Sequence, residues 1–119
     1  MSDHKDLVVW KESIELVTEV YEIASILPES EKYGLTSQIK RSSVSIPSNL
    51  AEGAGRLSTK EYIRFLHICS GSLSELETQM ILLRNLGYID SFHKINSRIK
   101  RIRFLLFRLK KGLCEKLAK

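Results

Sequence analysis

The chain is poor in the residues that staple or break small folds. Its 119 residues include only two cysteines, two prolines and one tryptophan. Cys69 and Cys114 lie far apart and neither belongs to a C-x-x-C pair, which argues against a disulfide-rich secreted module and for two buried or idle thiols. No run approaches the ~18 apolar residues of a membrane span. The opening MSDHKDLVVW is charged at Asp3, Lys5 and Asp6 and holds too short an apolar stretch for a signal peptide. A cytoplasmic protein with no membrane partner is expected. Phosphate-loop and zinc-protease motifs are missing. No Glu is followed three residues later by His, as the di-iron bundles require. His4, His67 and His93 are scattered, and His67 and Cys69, two apart, diverge on a helix. The chain is expected to be neither an enzyme nor the holder of a metal or cofactor.

What remains is 43% hydrophobic and 28% charged, enough for one domain spanning residues 1–119. Apolar residues recur at helical spacing throughout, and no segment alternates with the period of a strand. The first segment, Lys5 to Leu27, places Leu7, Trp10, Ile14, Val17, Tyr21 and Ala24 on one face, with Glu12, Glu15, Glu19 and Glu22 largely off it. The second runs from Tyr33–Leu35 to Ala54 with a seam of Leu35, Ile39, Ser42, Ile46, Leu50 and Gly53, whose small members suggest close approach of a neighbour. Pro47 lies inside it and predicts a kink, with Ser42 or Ser43 serving freed backbone groups; two shorter helices meeting at Ser45–Ser48 are the alternative. Ser58 and Glu61 form a capping-box pattern at the start of the third segment, Thr59 to Asn85, which Gly87 closes. Tyr62, Leu66, Cys69, Leu73, Leu76, Met80 and Leu83 make its heptad seam, and Gly71 is expected to mark close packing. Asp90 or Ser91 caps the fourth segment, which runs to about Leu117 along Ile95, Ile99, Ile102, Leu106, Leu109 and Leu113. The pattern predicts an all-α, antiparallel up-and-down four-helix bundle.

Charge is unevenly spread. Residues 92–119 carry ten Lys and Arg against Glu115 alone, a balance of +9, whereas residues 1–91 carry nine positive and thirteen negative charges, a balance of −4. A basic helix against an acidic body suits phosphate backbones, or else complements the acidic first helix within an oligomer. At 100° per residue, Lys94, Arg98, Arg101 and Arg108 share one flank of the seam, while Lys100, Phe104, Phe107 and Lys111 lie opposite it. Phe104 and Phe107 on an outward face either contact another subunit or stack on bases. Asn49, Glu52 and Arg56 follow one another at helical spacing and suggest a polar network.

The stretch Tyr33 to Glu77 carries a family pattern: Tyr33-Gly34-Leu35, Gln38, Lys40-Arg41, Ser45-Ile46-Pro47, Asn49, Ala51-Glu52-Gly53, Arg56, Ser58, Glu61, Phe65-Leu66, Gly71-Ser72 and Glu75-Leu76-Glu77, followed by Leu86-Gly87-Tyr88. With Trp10, these residues resemble the bacterial four-helix-bundle proteins encoded by intervening sequences of large-subunit ribosomal RNA genes. Lys40, Ser42 and Cys69 are mild departures from that pattern. The resemblance implies a homopentameric ring, and kinship with accessory variability proteins of diversity-generating retroelements, which associate with a reverse transcriptase and its template RNA. It implies no enzymatic activity.

Two functions follow as expectations. The first is an oligomeric protein that binds RNA or serves a nucleoprotein complex, with Arg98, Lys100, Arg101, Arg103 and Arg108 as phosphate contacts and Lys40, Arg41 and Arg56 as further ones. Phe104 and Phe107 would form the subunit contact. The second is a scaffold whose homo-oligomeric ring presents helix faces to a partner protein.

Overall fold

The computed structural model describes residues 3–119. Four helices account for most of them: α1 (Val8–Ser25), α2 (Leu35–Ala54), α3 (Thr59–Asn85) and α4 (His93–Ala118). Short 3-10 turns at His4–Asp6 and Glu29–Glu31 precede α1 and α2. Each helix packs on its two neighbours in cyclic order, and α1 and α3 stand diagonally apart. Ser42, Ser45 and Ile46 of α2 meet Gln79, Ser72 and Cys69 of α3, in descending order. Ser70 and Glu77 of α3 meet Lys110 and Arg103 of α4, and Glu12 and Glu19 of α1 meet Arg101 and Lys94 of α4. Adjacent helices therefore run in opposite directions. The bundle measures 51 × 21 × 20 Å, about the length of its longest helices plus their turns.

The seams expected for α2, α3 and α4 are the ones that fill the core. Ile39, Ile46, Leu50, Leu66, Cys69, Leu73, Leu76, Met80, Leu83, Ile99 and Ile102 are fully enclosed, while Leu35, Tyr62, Leu109 and Leu113 pack half-buried around them. The first helix departs from its expected face. Its core side is Val9, Ser13, Leu16, Val20 and Ala24, and Ile14 and Tyr21 face outward. Trp10 and Val17 are half-buried between the two. Two apolar rows offset by one residue run along α1, and periodicity alone does not choose between them.

Helix α2 continues unbroken through Pro47, so the two-helix alternative does not hold. The Ser43 hydroxyl donates to the carbonyl of Lys40, while Ser42 donates to Ile39 and to Gln79 on α3. Neither hydroxyl reaches the carbonyl of Ser43, the one that Pro47 leaves without its usual donor. At Gly53 α2 and α3 approach closely: a Cβ there would lie 2.9 Å from Phe65 Cβ. The expectation for Gly71 is overturned, because among the described residues nothing beyond its own stretch of helix lies within 4 Å of where its Cβ would be.

The helix ends follow standard chemistry with two corrections. Ser58 Oγ accepts from the Glu61 amide, but the Glu61 carboxylate turns to Arg64 at 2.8 Å instead of reaching back. Gly87 adopts φ +82°, and the amides of Gly87 and Tyr88 bond the carbonyls of Arg84 and Leu83, the paired closure that favours glycine. Helix α4 starts at His93 after Phe92, with no side-chain cap from Asp90 or Ser91.

Candidate nucleic-acid interface

Helix α4 presents its cations in three directions, set by its 3.6-residue turn. The first flank faces α1. There Arg98 is a fork between two carboxylates: Nε and Nη2 donate to Glu19 at 2.7 and 3.2 Å, and Nη1 donates to Glu12 at 2.7 Å. Lys94 approaches Glu19 at 3.4 Å and Arg101 approaches Glu12 at 3.5 Å. Glu19 is only 6% exposed, so this is a largely desolvated cluster in which the planar guanidinium fits better than an ammonium would. The hydrogen bonds from Arg98 to Glu19 and the surrounding negative charge raise the pKa of Arg98 above its ordinary value.

The second flank faces α3. Arg103 donates to Glu77 at 3.1 Å and Lys110 donates to the Ser70 hydroxyl at 3.2 Å. The third direction is away from the bundle. Lys100, Phe104, Phe107, Arg108 and Lys111 all stand exposed there. Phe104 and Phe107 keep more than half their surface open, and the Arg108 guanidinium lies 5.8 Å from the Phe104 ring centre. Among the described residues, Lys100, Arg108 and Lys111 make no ion pair.

The expected contacts thus divide. Lys100 and Arg108 lie on one open surface with the two phenylalanines. Arg101 is mostly exposed at the edge of the α1 cluster. Arg98 and Arg103 are bonded inward, and Arg98 is no longer a free phosphate contact. Lys40 lies over the Tyr21 ring at 5.1 Å and Arg41 is exposed nearby, both on α2 and remote from the outward α4 face. Arg56, at the end of the bundle, bonds Glu52 at 3.0 Å and covers the Phe65 ring at 5.0 Å, with Arg64 covering the same ring at 4.6 Å. Asn49 is not part of that pair, since its amide donates to Ser45.

The residues missed by sequence reasoning are Glu12 and Glu19 as partners of α4; Arg108, expected on the flank with Arg98, instead joins Lys100 and Lys111 on the outward side. A signal for the two glutamates was present. Glu12 and Glu19 are seven apart, as are Lys94 and Arg101, which is the flanking charge pattern of paired heptad helices.

Among the described residues no group of His, Cys, Asp or Glu is placed to hold a metal ion, and no helix is long and apolar enough to cross a membrane. Burial pushes the Cys69 thiol up to about 12, so it is no nucleophile at neutral pH.

A comparison with curated proteins gives no match. Among solved structures, a protein of unknown function from the S23 ribosomal protein family of Bacteroides thetaiotaomicron is similar, with 28% identity and a TM-score of 0.80 over 87% of this chain and 99% of that one. The 23S rRNA-intervening sequence protein family matches residues 5–108. That match spans α1 to α3 and the first part of α4, and the chain belongs to the 23S rRNA-intervening sequence protein family.

Proposed function

We propose that this protein is a non-catalytic, self-associating helical bundle that binds RNA through the outward face of α4. The observation that carries the reading is the selective pairing of charge. Carboxylates of α1 and α3 take up the cations on the inward flanks, while Lys100, Arg108 and Lys111 stay open beside two exposed aromatic rings. Such a surface offers point charges and a bidentate fork to phosphates, and ring faces to unstacked bases of a loop. Recognition would be electrostatic with little sequence preference. A role beside a nucleic-acid enzyme, such as a reverse transcriptase, fits the same chemistry: the bundle would hold template RNA while the enzyme acts on it.

The test is fluorescence anisotropy of a labelled stem-loop RNA titrated against salt. Three phosphate contacts give a slope of log affinity against log salt near −2, at about 0.7 per contact on single-stranded RNA. The variant K100E/R108E/K111E should bind at least tenfold more weakly with a flatter slope. Unchanged affinity in that variant would refute the assignment. Arg98→Glu is a poor control, because it breaks the clamp between α1 and α4.

A further inference from the structure

The outward face of α4 holds a cavity that phosphate binding alone does not explain. It is open, has a volume of about 510 Å³, and is lined by Phe104, Phe107, Arg108, Lys111, Gly112 and Glu115. These positions recur at spacings of three and four, so one side of a single helix supplies them all. Two of them are out of place on a strip that binds phosphates. Gly112 is the only glycine of α4, and nothing beyond its own stretch of helix lies within 4 Å of where its Cβ would be. Glycine weakens a helix interior, and among the described residues no packing contact accounts for it. Glu115 is the only acid of α4. It makes no ion pair among the described residues, although ten cations share the last 28 residues with it.

A carboxylate repels phosphates, so Glu115 in this cavity suits a different chemical group. It is an acceptor with two oxygens side by side, and it matches a partner with two adjacent donors. Among the unstacked bases of RNA, guanine has that edge, because its N1–H and N2 amine lie next to one another. Adenine and cytosine each set one amine beside a ring-nitrogen acceptor, and uracil sets its N3–H between two carbonyls. The missing side chain at Gly112 leaves bare backbone between the turn of Phe107 and that of Glu115, against which a flat ring can lie. Phe107, 59% exposed, offers a ring face to the base, and Arg108 and Lys111 border the cavity where the neighbouring phosphates would fall.

We infer that this cavity takes a single unstacked guanine of RNA, with Glu115 accepting from its Watson–Crick edge. The inference rests on the α4 reading of the proposed function. It adds one read base to a strip that is otherwise indifferent to sequence.

The test is anisotropy at low salt with labelled uridine strands carrying one central guanine, adenine, cytosine or inosine, and circular dichroism as the folding control. Wild type should bind the guanine strand about tenfold more tightly than the others or the all-uridine strand, the worth of one charge-assisted hydrogen bond. Inosine is the sharpest comparison, because it lacks only the N2 amine. Glu115→Gln should lose the preference yet bind the all-uridine strand at least as tightly as wild type, since a negative charge leaves the strip. Gly112→Leu should lose it by filling the cavity. Leucine favours helix over glycine and has open space at 112, so that variant keeps its fold. Equal affinity of wild type for the guanine and inosine strands, a preference that survives either substitution, or uniform weakening of every strand by Glu115→Gln would each overturn the assignment. K100E/R108E/K111E tells the two readings apart. If it weakens every strand while wild type shows no base preference, the guanine site alone fails. If it binds every strand as wild type does, or wild type binds none, the α4 surface fails and the site with it.

Discussion

Gly53 and Gly71 are the same residue type in two helices, yet their surroundings differ in a way that decides what a methyl group would do. At 53 the added carbon meets Phe65 Cβ at 2.9 Å and Tyr62 Cδ1 at 3.0 Å. Phe65 Cβ is anchored to its backbone and cannot rotate away. Gly53→Ala should therefore destabilise the bundle by about 1–3 kcal/mol, despite the gain in helix propensity, as read from urea unfolding. The spacing of Leu50 and Gly53 already pointed to this contact. The same logic misread Gly71, because sequence shows that a glycine is small but not whether anything faces it. The two thiols separate as cleanly. Cys114 is exposed and Cys69 is buried, with its thiol facing the Ile46 carbonyl at 3.4 Å. At pH 8 a thiol reagent should label Cys114 alone in the native protein, and both residues in denaturant. Burial also raises the Cys69 pKa from 9.0 to about 12, so the folded state holds its proton where the unfolded chain releases it. Its contribution to stability is complete below pH 9 and is lost as the pH rises toward 12. Cys69→Ala should flatten that alkaline decline in thermal unfolding.

The helices themselves were legible wherever a single seam was present. Helix α3 carries one uninterrupted row from Tyr62 to Leu83, and it is the row that enters the core. Helix α1 carries two rows, Val9–Ser13–Leu16–Val20 and Trp10–Ile14–Val17–Tyr21, and the apparently more apolar one lies at the core's edge with Ile14 and Tyr21 facing out. The true core row contains Ser13, whose hydroxyl donates to the Trp10 carbonyl at 2.7 Å and is thereby hidden from a count of apolar side chains. The start of α4 was misplaced because Asp90 and Ser91 look like caps, whereas the chain turns two residues later. What fastens α4 to α1 is Arg98. Arg98→Ala would leave the nearly buried Glu19 with only the exposed Lys94 at 3.4 Å and should cost on the order of 3 kcal/mol. Arg101→Ala removes a longer contact from a 60% exposed side chain and should cost less than about 1 kcal/mol. Chemical denaturation of the two variants side by side checks both values.

At the scale of the whole molecule, the charge asymmetry was plain in the sequence, but its direction in space was not. A count of ten cations against one glutamate says nothing about which cations turn inward, since that depends on which helices become neighbours. The bundle places the acidic first helix beside the basic fourth, turns Arg98 inward between Glu12 and Glu19, and leaves Lys100, Arg108 and Lys111 unpaired on the outward side among the described residues. This pairing makes folding and polyanions competitors. In the unfolded chain Lys94, Arg98, Arg101 and Arg103 are released from their carboxylates and join the other cations of the last 28 residues. A flexible polyanion without bases can then neutralise more charge on the denatured chain than on the native strip. Inorganic polyphosphate should lower the thermal midpoint at low salt, with the effect fading as salt screens it. A structured RNA that raises the midpoint under the same conditions would have to draw its affinity from shape and ring contacts that only the folded molecule offers.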